Sequence, residues 1–121
     1  MIPGNVFANI SGLSQEAADA TTEVGIVEVD DTGAIKIYNK YESDLAGVAL
    51  SNAVGKNFFI QVAPCTNNRL FMGTFKTGVQ LGNMDKKFNY TFTYKMKPTP
   101  VTIHLYRDTQ SARNFIFVKR R

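Results

Sequence analysis

Between Phe88 and Met96 every second residue is aromatic or large and apolar: Phe88, Tyr90, Phe92, Tyr94, Met96. The residues between them, Asn89, Thr91, Thr93 and Lys95, are all polar. A period of two belongs to a strand with one buried face, because successive side chains point to opposite sides of a sheet. The pattern returns in Val101, Ile103 and Leu105, and a last apolar run covers Phe115–Val118. Pro98 and Pro100 are expected to make the turn between the first two of these strands. Connections this short allow only antiparallel neighbours, since a parallel pair needs a long crossover. Whatever else the chain does, its C-terminal third must lie in an antiparallel sheet.

The preceding segments supply the rest of the architecture. Val24–Val29 and Ala34–Tyr38 read as two strands of a hairpin turning at Asp30-Asp31-Thr32-Gly33. Asn39 is placed to cap a short helix running toward Gly47. Residues 48–63 read as short helical pieces ended by Pro64, with Cys65-Thr66-Asn67-Asn68 as a loop. In Leu70–Leu81, Phe71, Phe75 and Val79 recur at four-residue spacing, which predicts the longest helix, closed by Gly82-Asn83. Helices segregated from an antiparallel sheet make an α+β domain. Residues 1–22 are polar, with Val6, Phe7, Ile10 and Leu13 as scattered anchors, and read as a loosely held N-terminal cap on a domain spanning 23–121.

Composition removes several classes of function. At 121 residues the chain is one domain. One cysteine cannot form an internal disulfide, and one cysteine with one histidine does not make a structural zinc site. No apolar run reaches the roughly 20 residues of a membrane-spanning helix. The N-terminus lacks the pattern of a secretory signal, so the expected compartment is the cytoplasm. Charge is uneven: residues 1–44 carry a balance of −6 and residues 45–121 one of +10. That asymmetry suits a solvated surface, an acidic N-terminal part docked on a basic body, or a nucleic-acid binder.

Three features could carry chemistry. Cys65 is either a small buried hydrophobe or a thiol able to hold an acyl group as a thioester. A cysteine protease would need His104 as its base, and His104 reads as a structural residue in mid-strand. Tyr38 and Glu42, four apart across a strand end and a helical turn, can point at one spot. A tyrosine hydroxyl and a protonated carboxyl are both donors toward an oxyanion, and burial keeps a glutamate protonated. The aromatic stripe 88–96 is the core face of a sheet, or a stacking surface for single-stranded nucleic acid. No phosphate-binding glycine loop or metal-ligand cluster is present.

Specific strings now carry weight together. Val54-Gly-Lys-Asn-Phe-Phe59 followed by Val62-Ala-Pro-Cys-Thr66, with Tyr90-Thr-Phe-Thr-Tyr-Lys-Met96, the terminal Phe117-Val-Lys-Arg120, Ile37-Tyr-Asn39 and Glu42, resembles the photoactive yellow protein family from about Gly25 to Arg121. The resemblance implies a PAS fold, a five-stranded antiparallel sheet flanked by helices. It implies a blue-light photoreceptor, not an enzyme, carrying p-coumaric acid as a thioester on Cys65. Tyr38 and Glu42 would donate to the phenolate oxygen, the Cys65 N–H would hold the thioester carbonyl, and Phe58, Phe92, Tyr94 and Met96 would line the pocket. Light would isomerise the double bond, Glu42 would give up its proton, and the N-terminal segment would loosen. The family's threonine near the tyrosine is Ala46 here, the arginine covering the ring is Val48, and a C-terminal tryptophan is Phe115; these departures bear on colour and recovery. The expected partners are the chromophore and a downstream protein of unknown identity, with neither nucleic acid nor membrane, in a monomer. The competing reading is a PAS module that holds a small molecule without a covalent bond.

Overall fold

The computed structural model describes residues 1–93 and 97–121. Its centre is a five-stranded antiparallel sheet in the order β2-β1-β5-β4-β3. The strands are β1 (Gly25–Val29), β2 (Ile35–Tyr38), β3 (Asp85–Phe92), β4 (Thr99–Asp108) and β5 (Arg113–Arg120). The helices are α1 (Gly4–Ala8), α2 (Gln15–Asp19), α3 (Lys40–Ala46), α4 (Leu50–Ala53) and α5 (Thr74–Leu81), joined by short 3₁₀ and π-helical turns.

The hairpin forms as its sequence dictates. Asp30 Oδ1 accepts from the amides of Thr32 and Ala34, while Gly33 takes a positive φ of 96°, the left-handed region where a side chain is strained. The strand pattern of the C-terminal third is also present, with two differences. β3 begins at Asp85, and as an edge strand it leaves Phe88 and Tyr90 only half-buried. Pro100 lies inside β4, opposite Thr91, and not in the turn; a proline near a strand's start forfeits few ladder bonds. Tyr94 and Met96, expected on the same face, lie outside the described residues.

The expected helix at Leu70–Leu81 is divided. Arg69–Gly73 is a π-helical turn, capped by Asn68, whose Oδ1 accepts from Phe71 N, and α5 follows from Thr74. Gly82 ends α5 in the left-handed conformation, as its position predicts.

Alternation sorts the apolar residues onto two faces. Val27, Val29, Ile35, Tyr38, Phe92, Ile103, Leu105, Ile116 and Val118 belong to one core with Phe58, Phe59, Phe71 and Phe75 from the connecting segments. Ile26, Ile37, Phe115 and Phe117 belong to a second core, completed by Val6, Ile10, Leu13 and Ala18 of the N-terminal segment. β1 is therefore buried on both faces throughout.

The N-terminal segment is better anchored than its polarity suggests. Phe7 is the exception: it is 51% exposed and only meets Tyr106 edge-on. Arg113 holds the segment through Nη1 to the carbonyl of Ser11 (3.0 Å) and Nη2 to that of Leu13 (2.8 Å), while its guanidinium pairs with Glu28. The acidic and basic parts of the chain meet at Glu28–Arg113 and Asp31–Arg107. Among the described residues no acid of residues 1–22 is in an ion pair, so acid-on-base docking does not hold the cap.

Candidate functional site

Tyr38 closes β2 and Glu42 lies in the first turn of α3, with Asn39 between them as the N-cap. The Asn39 side chain is fully buried and makes bonds in two directions. Its Oδ1 accepts from Glu42 N (3.1 Å) and Ile26 N (2.9 Å), and its Nδ2 donates to the carbonyls of Ala18 and Val24, each at 3.0 Å. This fixes the start of α3 against β1 and turns the Glu42 side chain into the sheet. Gly25 makes that possible. A methyl group on its α-carbon would clash with Glu42 Oε1 and reach Tyr41 Cδ1 at 3.3 Å.

Cys65 arrives from the opposite side, in the single turn Pro64–Thr66. Thr66 Oγ1 donates to Ala63 O, and the Cys65 carbonyl accepts from Tyr90 Oη and from Asn68 Nδ2. The preceding π-helical turn, Phe58–Val62, is capped by Asn57, whose Oδ1 accepts from Phe59 N and Ile60 N. It brings Phe58 and Val62 to the same place.

These elements enclose a narrow cavity of about 10 Å³ lined by Tyr38, Glu42, Ala46, Phe58, Val62, Ala63, Cys65 and Phe92. The structure thus brings together six of the nine candidate residues: Tyr38, Glu42, Ala46, Phe58, Cys65 and Phe92. Val48 does not line the cavity; it packs on the same core from outside, and its carbonyl accepts from Ser43 Oγ. Tyr94 and Met96 lie outside the described residues. Val62 and Ala63 also line the cavity, and their sequence signal was only adjacency to Pro64-Cys65. Gly25 gave no sequence signal, because its role depends on a contact between β1 and α3.

The electrostatics of the cavity are unusual. Among the described residues, Tyr38 Oη and Glu42 Oε1 are buried without a hydrogen-bond partner. Native interiors rarely leave such groups unsatisfied, so each calls for an explanation. Burial pushes the Glu42 carboxyl up from 4.5 to about 8. The Tyr38 hydroxyl is pushed up as well, by burial first and then by the neighbouring Glu42 charge. At neutral pH both groups are thus protonated donors, on residues that line a cavity together with Cys65.

His104 is elsewhere. It packs beside Tyr106 and Phe117 on the cap side of the sheet, and its Nε2 pairs with Asp85. Cys65 packs on the opposite core, so the sheet separates the two and no thiol–imidazole pair exists. Phe88, Tyr90 and Phe92 pack inward around Phe71, so this part of the stripe is core, not an exposed stacking surface.

No protein-family model matches the chain. It is 42% identical over 96 residues to the photoactive yellow protein of Rhodothalassium salexigens, covering 79% of this chain and 77% of that one. Its fold superposes with a TM-score of 0.84 on the photoactive yellow protein domain of the sensor histidine kinase Ppr from Rhodospirillum centenum, at 38% identity, covering 93% of this chain and 97% of that one. The PAS domain of Bordetella pertussis BvgS shares the fold, with a TM-score of 0.62 at 18% identity, covering 88% of this chain and 80% of that one. The five-stranded sheet with its flanking helices is a PAS fold.

Proposed function

The chain belongs to the photoactive yellow protein family, and on that premise we propose that it is a blue-light photoreceptor carrying p-coumaric acid as a thioester on Cys65. One observation supports this above the others: Tyr38 and Glu42 line one cavity with Cys65, and among the described residues their buried Oη and Oε1 have no hydrogen-bond partner. Two donors and a nucleophile around one cavity suit a phenolate linked through its acyl end. The cavity has room for about one water-sized sphere. Phe58, Val62 and Phe92 would have to part to admit an aromatic ring.

Each residue then has a role. The Cys65 thiolate attacks the carbonyl of an activated p-coumaroyl group; a carbon–sulfur bond forms and the activating group leaves. Tyr38 and Glu42 donate hydrogen bonds to the phenolate oxygen and keep it ionised. The Cys65 N–H would hold the thioester carbonyl. When bound, the chromophore supplies the absorption of light and an isomerisable double bond. Loss of its proton would leave Glu42 as a buried carboxylate with no cation beside it among the described residues. Such a charge is costly in an apolar interior. Asn39 joins the Glu42 amide to the carbonyls of Ala18 and Val24, so strain at α3 reaches the N-terminal segment directly. Loosening of residues 1–22 is the output.

The test is reconstitution. Incubated with an activated p-coumaroyl ester, the chain should gain the mass of one coumaroyl group and a visible absorption band bleached by blue light, and Cys65→Ser should do neither. A colour change with no mass gain would favour the non-covalent PAS module.

A further inference from the structure

The sheet order leaves β2 at an edge, with its outer N–H and C=O groups unpaired by any strand. Such an edge must be covered or blunted. At its start the cover is backbone: Ile35 N donates to Lys56 O, and Gly55 N donates to Ile35 O, both at 2.9 Å. At its end the cover is one side chain. Gln15 Oε1 accepts from Tyr38 N (3.1 Å), and Gln15 Nε2 donates to Tyr38 O (2.9 Å). These are the two bonds a residue of a neighbouring antiparallel strand would make. The second N–H of the amide donates to Asp19 Oδ1 (3.0 Å), which itself accepts from Lys40 N (2.9 Å). Every polar function of the Gln15 amide is therefore used, and its orientation is locked.

Tyr38 is the residue whose hydroxyl lines the cavity. We propose that Gln15 is a positioning residue for Tyr38: by gripping both main-chain groups of Tyr38 from the N-terminal segment, it fixes where the Tyr38 hydroxyl meets the phenolate oxygen. This rests on the photoreceptor reading, which gives that hydroxyl its role. It makes the segment part of the binding site at one remove, and it gives cap release a direct effect on the chromophore. Asn39 carries strain outward to the cap, and Gln15 carries the state of the cap inward to Tyr38.

The test uses the full chain reconstituted with activated p-coumarate, with two readouts in the dark: exchange of the Tyr38 amide, and the spectrophotometric titration of the chromophore phenol. Gln15→Ala should speed exchange of that amide about tenfold and raise the phenol midpoint by about 0.5–1 unit, the effect of a weakened donor. Leu13→Ala loosens the same segment but keeps the Gln15 amide, and should shift the phenol midpoint less than Gln15→Ala does. Gln15→Glu keeps the acceptor for Tyr38 N but when ionised cannot donate to Tyr38 O, so it should leave the Tyr38 amide better protected than Gln15→Ala does while still raising the phenol midpoint. An unchanged Tyr38 amide in Gln15→Ala, or an equal midpoint shift in Leu13→Ala, overturns the proposal. If the wild-type chain takes up no chromophore, the photoreceptor reading fails, and Tyr38 exchange in the chromophore-free chain still tests the grip.

Discussion

Glu42 concentrates the physics of the site in one carboxyl. It ionises near 4.5 in an unfolded chain but only near 8 in the fold. Between those values the folded chain keeps a proton that the unfolded chain has released. Stability therefore falls as pH rises across that interval, by on the order of 5 kcal/mol in full, and is unaffected below it. Glu42→Gln removes the titration. Its stability relative to the wild-type chain, measured without chromophore by urea unfolding, should climb from about pH 5 to pH 8. Parallel curves would show that Glu42 is already ionised in the fold. Gly25 offers an independent handle on the same carboxyl, because its bare α-carbon is the wall against which Oε1 rests. Gly25→Ala should push the carboxyl aside, shift its infrared carbonyl band in the dark state, and cost roughly 1–3 kcal/mol as overpacking does. A band that stays in place would mean the neighbours, Tyr41 among them, absorb the methyl group instead.

At the scale of elements, the start of α3 is the junction on which the site depends. Asn39 caps the helix at Glu42 N, holds Ile26 N of β1, and donates to two carbonyls of the N-terminal region. Asn39→Ala loses the cap, worth about 1 kcal/mol, and orphans buried groups at about 1–3 kcal/mol. The expected total is roughly 2–4 kcal/mol in denaturant unfolding. Asn39→Ser can still cap Glu42 N but cannot span to Ala18 and Val24. It should recover only about 1 kcal/mol, and equal losses in the two variants would show that the cap contributes nothing. The helix itself was legible from Asn39 and Gly47, because caps are local signals. So was the aromatic alternation of β3, whose period is a property of neighbouring residues. The π-helical turn at Arg69–Gly73 was not: Phe71 and Phe75 keep four-residue spacing whether the preceding turn closes at four residues or five. Pro100 misled for a related reason, since a proline marks a turn by what it forbids, and near a strand's start it forbids little. The pairing of Tyr38 with Glu42 was legible from their spacing, while their meeting with Cys65 in one cavity was legible only through strings resembling a family. The contacts of Gln15, Asn39 and Gly25 were not legible at all, because each joins segments distant in sequence.

For the molecule as a whole, charge asymmetry suggested an acidic cap drawn to a basic body, a contact that salt would weaken. The geometry argues otherwise. Arg113 grips carbonyls of the segment while its guanidinium pairs with Glu28, whose side chain is 12% exposed. Salt screens exposed charges far more than buried pairs. Dark-state amide exchange in residues 6–13 should therefore change little between low and high salt. Arg113→Ala should release those amides and cost about 3–5 kcal/mol, since it strands a buried carboxylate. Adding Glu28→Gln should return much of that stability without restoring protection of the segment. If high salt alone frees residues 6–13, the acid-on-base picture stands after all.

The two apolar cores meet only through the sheet, and alternate residues of β1 and β5 belong to one or the other. A change at Val27 or Ile116 alters the core that surrounds the cavity, while a change at Ile26 or Phe117 alters the seat of the N-terminal segment. Mutation can thus explore the two sides separately. What the domain senses and what it does on sensing are free to diverge on different evolutionary clocks. The few residues that belong to both sides, Tyr38 and Asn39 foremost, are where the two histories must agree.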